Sequence, residues 1–116
     1  MEYTKFTYVD ADAVRARAFG GNIQGDVYGN LIMTPQTVAL TADTTVAGKN
    51  LITLSSVTAT KILTVNLPNG ALFVVANGDS TNAATIKCSA TDTGATLAKS
   101  TTGIYYNADG VAKLIK

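Results

Sequence analysis

Histidine and tryptophan are absent from this chain of 116 residues, and it has a single cysteine. Histidine is the side chain most often used as a general acid or base near neutral pH, so the commonest catalytic proton carrier is missing. With one thiol, Cys88, the chain can form neither an intrachain disulfide nor a multi-thiolate metal site. We expect Cys88 to be a buried structural thiol, because free cysteine is among the most buried residue types.

Charge is also scarce in this sequence. Charged residues make up 15% of the chain, and Lys and Arg balance Asp and Glu to a net charge of +1. Long-range attraction to nucleic acid or to an anionic membrane is therefore not favoured. No apolar run approaches the roughly twenty residues needed to cross a bilayer, and the N-terminus carries no secretory signal pattern. We expect a chain that is made in a reducing cytoplasm.

Short apolar segments separated by turns occupy the sequence from residue 37 to residue 116. Val, Ile, Leu and Thr suit pleated strands, whereas Gly, Asn and Asp suit tight turns, so the pattern predicts an all-β domain. A spacing of roughly ten residues per strand and turn is typical of sandwiches and barrels. We therefore predict an antiparallel β-sandwich or jelly-roll-like domain over residues 37–116. No exact internal repeat is present, which disfavours a solenoid. The predicted strands lie at 51–54, 62–67, 71–76, 84–88, 95–98, 103–106 and 111–115.

Alternation of apolar and polar residues predicts which strand faces are buried. Ile52 and Leu54 share one face of their strand, and the next strand places Leu63, Val65 and Leu67 together. One segment is apolar on both faces, as expected of a central strand covered on both sides or shared with a neighbouring subunit. We take this segment as a candidate subunit interface, formed by Leu72, Phe73, Val74 and Val75.

Residues 1–36 differ in character from the rest and are predicted to form an N-terminal arm that docks onto a partner. Arg15 and Arg17 are spaced by two, so in an extended arm both guanidinium groups can make forked contacts to carboxylates. Large amphipathic side chains of this arm are of the kind found at interface anchors. The alternatives are a solvated tail and an N-terminal strand pair that joins the core sheet. The candidate docking residues are Tyr3, Phe6, Tyr8, Arg15 and Arg17.

Reactive groups are thinly spread, and we predict no catalytic residue, no metal site and no cofactor. The only close carboxylate pair, Asp10 and Asp12, falls in the predicted arm. The aspartates in turns are expected to accept hydrogen bonds from backbone amides two residues on. Of the pair Tyr105 and Tyr106, we expect one to pack inward and one to point outward. The turn aspartates are Asp43, Asp79, Asp92 and Asp109.

A specific progression of strands and turns resembles bacteriophage virion accessory proteins, namely capsid decoration proteins, head fibres and small tail-fibre domains. The resemblance covers residues 37–116 and is carried by strand and turn residues instead of catalytic ones. A "Leu-Pro, turn, Phe-x-Val-x-Asn, turn, Thr-Ile, Asp-Gly" order is characteristic. The resembling segments are 37–41, 62–68 followed by Gly70, 72–75, Asn77 with Gly78, 85–86, 103–110 and 114–115.

The resemblance implies a structural virion protein that binds the outside of a phage capsid, with the major capsid protein as its partner. Such proteins are commonly homotrimers, made in the host cytoplasm, with no enzymatic activity and no nucleic-acid or membrane partner. The alternative is a tail-fibre or adhesin module that recognises a host-surface glycan through exposed Tyr105 or Tyr106. The lack of a Trp-containing cluster after Gly110 speaks against carbohydrate binding.

Overall fold

A computed structural model describes residues 35–116, so residues 1–34 of the predicted arm, with all of its candidate docking residues, lie outside this range. Over the described residues the chain forms strands and turns without a helix, and therefore without a helix that could span a membrane. The first strand begins at Pro35, shortly before the predicted start of the β-domain. The strands are β1 Pro35–Leu40, β2 Thr44–Ala47, β3 Leu51–Val57, β4 Ile62–Asn66, β5 Leu72–Asn77, β6 Ala84–Lys87, β7 Ala95–Leu97, β8 Thr102–Ala108 and β9 Val111–Leu114.

Two mixed sheets contain these strands, which confirms the all-β prediction. The five-stranded sheet has the order β1-β3-β5-β8-β9, and the four-stranded sheet has the order β2-β4-β6-β7. The first six strands alternate between the sheets, and within each sheet they pair in parallel. The chain thus forms three successive coils, and each coil contributes one strand to each of the two sheets. The last three strands then close the described stack with antiparallel pairs.

This winding corrects two expectations from the sequence. The sheets are not purely antiparallel as predicted, and the coiling is that of a short β-solenoid, which the lack of a repeat had disfavoured. Pro35 pairs with Leu51, and Leu51 pairs with Val74, so the second coil is longer than the first. Coils of unequal length leave no fixed period in the sequence. Alternation, moreover, predicts which face of a strand is buried but not the direction of its neighbour.

One apolar core lies between the two sheets, as in a β-sandwich. Ile52 and Leu54 of the five-stranded sheet and Leu63 and Val65 of the four-stranded sheet are fully buried in it, as alternation predicted. Leu67, just beyond β4, packs against the core but is only partly buried. The inward positions of both sheets therefore supply the apolar burial that stabilises the domain.

The corners between the sheets are tied from one coil to the next by hydrogen bonds. The Thr58 amide donates to the Leu40 carbonyl at 3.0 Å, between the first and second coils. The Ile62 amide donates to Asp43 Oδ1 at 3.0 Å across the same two coils. Because backbone groups at corners lack partners within a sheet, these bonds satisfy groups that would otherwise be unpaired.

Candidate functional site

The predicted subunit interface lies in β5, the middle strand of the five-stranded sheet. Phe73 and Val75 point inward and are 0% exposed, so neither can contact a second molecule. Leu72 is 56% exposed, and Val74 on the same face is partly buried. Only the outward half of the predicted interface is therefore accessible in the described part of the chain.

The outward residues of β5 continue sideways into an apolar surface. Val74 pairs with Leu51 on one side and with Ile104 on the other, and Leu72 pairs with Tyr106. The chain end beyond β9 extends this surface, since the Ile115 amide donates to the Ile104 carbonyl at 2.7 Å. We call this surface the outer apolar face; it consists of Leu51, Leu72, Val74, Ile104, Tyr106, Val111 and Ile115.

The outer apolar face is nearly free of charge, and the opposite side of the domain differs from it in having few apolar side chains. Among the described strands, Lys113 is the only charged residue at an outward position of the five-stranded sheet. The outward positions of the four-stranded sheet are mostly polar, and they are Thr45, Ala47, Ile62, Thr64, Asn66, Thr85, Lys87 and Thr96. The outer surface of the four-stranded sheet is thus mostly polar, whereas that of the five-stranded sheet combines the outer apolar face with exposed hydroxyl residues such as Thr37, Thr53 and Thr102.

The Asp79 carboxylate is held in the turn after β5 by backbone amides. Oδ2 accepts from the Val57 amide at 2.9 Å, and Oδ1 accepts from the Thr81 and Asn82 amides, both at 2.7 Å. These bonds lower the pKa of Asp79, and the Val57 amide contributes most to the shift. The bond to Thr81 confirms the predicted turn role, since the acceptor lies two residues before its donor.

Asp92 is buried and joins the two sheets. Its Oδ2 accepts from the Cys88 amide, just after β6, and from the Ala112 amide in β9, at 3.0 and 2.8 Å. Its Oδ1 accepts from the Gly94 amide at 2.9 Å, which confirms the predicted turn role. Burial opposes ionisation, but the amides together with the charge of Lys87 leave the pKa of Asp92 lowered overall.

Cys88 is buried, which confirms its predicted structural character. Burial, reinforced by the charge of Asp92, raises the pKa of Cys88 to about 11. The thiol is therefore protonated at neutral pH, and a protonated thiol is a poor nucleophile and metal ligand. Within residues 35–116, no three His, Cys, Asp or Glu side chains come together in a group that could hold a metal ion.

The two adjacent tyrosines point to opposite faces of β8, as predicted. Tyr105 is fully buried, and its ring stacks on Phe73 with ring centroids 5.4 Å apart. Burial raises the pKa of Tyr105. Tyr106 lies outward and is the one exposed aromatic side chain among residues 35–116. A glycan site in this range would therefore have a single aromatic platform.

Several members of the outer apolar face were not singled out from the sequence. Ile104, Val111 and Ile115 were assigned to strands, but their outward apolar character was not used. The available signal was the alternation of Ile104 with buried Gly103 and Tyr105. That signal gains meaning only when β8 is placed beside β5, which is a pairing between residues distant in sequence.

The described residues thus offer one candidate surface, the outer apolar face. The predicted turn role is wrong for two aspartates: Asp43 accepts from the distant Ile62 amide, and the Asp109 carboxylate accepts no hydrogen bond within residues 35–116. The predicted docking residues of the arm lie outside the described residues, so their roles stay predictions. The functional assignment of the chain depends on its own residues and fold, because no protein-family model, no curated protein and no solved structure matches it.

Proposed function

We propose that this chain is a structural protein of a bacteriophage particle that binds the outside of the capsid, as a decoration protein or a head fibre. Its partner is the major capsid protein, and its β-domain projects from the capsid surface. The role is mechanical: it requires a domain of fixed shape and a surface that adheres. It requires no turnover of a substrate and no cofactor.

The observation that carries this proposal is the use of polar side chains to fix the corners of the domain. Asp79 and Asp92 each accept three backbone hydrogen bonds. Asn77, at the end of β5, donates to the Leu97 carbonyl in β7 at 3.3 Å and accepts from the Asp79 amide at 3.0 Å. Side chains engaged in this way hold the backbone in one shape. Such a domain suits a rigid projection.

Attachment to the capsid is proposed to lie in residues 1–36. Forked hydrogen bonds from Arg15 and Arg17 would select carboxylates on the capsid, and the aromatic side chains of the arm would anchor it. Burial of apolar area contributes roughly 25 cal/mol per Å² before the costs of association. Modest contacts of this kind add up over the many copies that cover a shell, and the shell as a whole is thereby stabilised.

The test is binding of full-length protein to assembled capsids that lack it. We expect the double variant Arg15→Ala, Arg17→Ala to bind at least tenfold more weakly in a co-sedimentation assay, because charge-assisted hydrogen bonds contribute about 1.5–3 kcal/mol each. The matched control is Lys99→Ala, which removes a positive charge from an exposed turn of the β-domain. Binding that is equal for wild type, the double variant and the control would contradict the proposed docking role.

A further inference from the structure

We propose that Asn69 is a modification site of the folded domain, where the side-chain amide is lost and the residue becomes aspartate or isoaspartate. The reaction is spontaneous and needs only water. The dipeptide Asn-Gly occurs twice in the chain, at Asn69-Gly70 and at Asn77-Gly78. This dipeptide favours the reaction, because a glycine amide is not shielded by a side chain. The inference concerns the β-domain alone and does not depend on attachment to a capsid.

The reaction proceeds through a cyclic imide. The backbone nitrogen of the glycine loses its proton to water or hydroxide and attacks Cγ of the asparagine, so that a succinimide ring forms. The bond between Cγ and Nδ2 breaks, and Nδ2 takes up a proton and leaves as ammonia. Water then opens the ring at either of its carbonyl groups, which gives aspartate or isoaspartate. The asparagine Cγ and the glycine nitrogen must therefore be able to approach each other.

Asn69 lies in an exposed turn between β4 and β5. Asn69 and Gly70 are both exposed, and a Cβ built on Gly70 would meet no atom of the described residues within 4 Å beyond its chain neighbours. Within residues 35–116, the side chain of Asn69 makes one hydrogen bond, in which Oδ1 accepts from the Asp109 amide at 2.7 Å. The Gly70 amide donates to the Asn107 carbonyl at 2.8 Å. An exposed turn held by few bonds opens locally while the domain stays folded, and opening releases the Gly70 nitrogen for attack.

Asn77 has the same neighbour in the sequence but a different environment in the fold. Its side chain is 2% exposed, and Nδ2 donates to three backbone carbonyls, one of which is that of Leu97 in β7. The Gly78 amide donates to the Leu54 carbonyl of β3 at 2.8 Å. Both reacting groups are therefore bound to neighbouring strands, and their release requires the core around β5 to come apart. The fold thus protects Asn77 and leaves Asn69 open to the reaction.

Conversion of Asn69 changes the turn in which it lies. The bonds from the Asp109 and Gly70 amides tie this turn to the hairpin of β8 and β9. Isoaspartate lengthens the main chain by one carbon atom, so the turn cannot keep both bonds in their present geometry. Either product also adds a negative charge to a chain whose net charge is +1. Because Leu72 follows Gly70 by two residues, this charge appears at the border of the outer apolar face.

The experiment is incubation of the full-length wild-type chain at mildly alkaline pH in water enriched in heavy oxygen, followed by peptide mapping with mass spectrometry. Heavy oxygen enters when water opens the ring, so it marks the conversions that occur during the incubation. We expect Asn69 to be converted at least about tenfold faster than Asn77 in the folded protein, with isoaspartate among the products. In concentrated urea the protection of Asn77 is lost, and the two rates should become similar.

The matched control is Asn69→Gln, because the longer glutamine side chain would have to close a larger ring and reacts far more slowly. On isoelectric focusing, we expect wild type to accumulate a more acidic form that the folded control does not. Equal rates at Asn69 and Asn77 in the folded protein would overturn the inference. It would also be overturned if Asn69 stayed intact in the folded protein over the time in which the chain in urea is converted.

Discussion

At the scale of single residues, Asp92 combines burial with three hydrogen bonds from backbone amides. Its acceptor atoms bind Cys88 and Ala112, which belong to segments of different sheets, and Gly94 in its own turn. Loss of the negative charge would leave buried amide donors poorly satisfied. This carboxylate therefore contributes to stability by holding the closing strands against the coils.

The variant Asp92→Asn is expected to unfold about 2 kcal/mol more easily at pH 7, since hydrogen bonds to a charged acceptor are lost. The pKa of Asp92 is lower in the folded protein than in the unfolded chain, where it is about 3.9. Its contribution is thus complete above that value and is lost as the pH falls through the folded pKa. Urea unfolding at pH 7 and at pH 2.5 should show the difference from wild type shrinking in acid.

The control for this measurement is Asp109→Asn, because Asp109 is exposed and has a φ of 53°, a conformation that Asn adopts readily. We expect the control to unfold like wild type at both pH values. A gap between Asp92→Asn and wild type that stays constant from pH 7 to pH 2.5 would show that the effect is not electrostatic.

Tyr105 presents the opposite case, a polar group that is buried without a partner. Among the described residues, nothing accepts from or donates to its hydroxyl. An unsatisfied buried polar group costs about 1–3 kcal/mol, so Tyr105→Phe should be as stable as wild type or more stable by up to ~2 kcal/mol. Thermal and urea unfolding measure this difference, with exposed Tyr106→Phe as the neutral control. Destabilisation by Tyr105→Phe would show that the hydroxyl has a bound partner in solution.

At the scale of the strand, β8 depends on Gly103 to leave room for the ring of Tyr105. A Cβ added at Gly103 would lie 2.6 Å from Cε2 of that ring. The ring is buried and stacked on Phe73, so it cannot move aside. This explains a buried glycine inside a strand, where glycine otherwise weakens the structure.

Gly103→Ala is therefore expected to cost about 1–3 kcal/mol through overpacking. In a Tyr105→Leu background the ring is absent, so the same change should cost much less. Urea unfolding of wild type, the two single variants and the double variant gives the coupling free energy. Equal costs of Gly103→Ala in both backgrounds would place its effect elsewhere in the strand.

Strand existence and strand faces could be predicted from the sequence, because both depend on nearest neighbours along the chain. The alternation in 62–67 identified Leu63 and Val65 as core residues, and both are fully buried. The relative direction of paired strands could not be predicted. The strand β3 pairs with β1 and β5, and in each case another strand, which belongs to the other sheet, lies between the two in the sequence. The doubly apolar segment in β5 could be recognised along the chain. Ile104, which lies beside β5, and Ile115, which lies beside Ile104, could not be assigned to the outer apolar face, because these contacts join distant parts of the sequence.

At the scale of the whole molecule, different parts of the fold determine its shape and the character of its surface. Within residues 35–116 the corners fix the shape, and the large apolar side chains that are exposed all lie in or next to the five-stranded sheet. Composition alone could predict that reactive groups are few, because residue types can be counted without a fold. The position of the apolar surface could not be predicted in this way, since it depends on which strands lie side by side.

The winding of the first six strands has a consequence for evolution and for engineering. Each coil binds mainly the coils above and below it, so the number of coils is not fixed by the architecture. Duplicating residues 51–73, the coil that runs from Leu51 up to its partner Val74, would insert one more layer and lengthen the stack by about 4.8 Å, the distance between neighbouring strands. The length of the domain would then change in discrete steps, one strand spacing for each coil that is added.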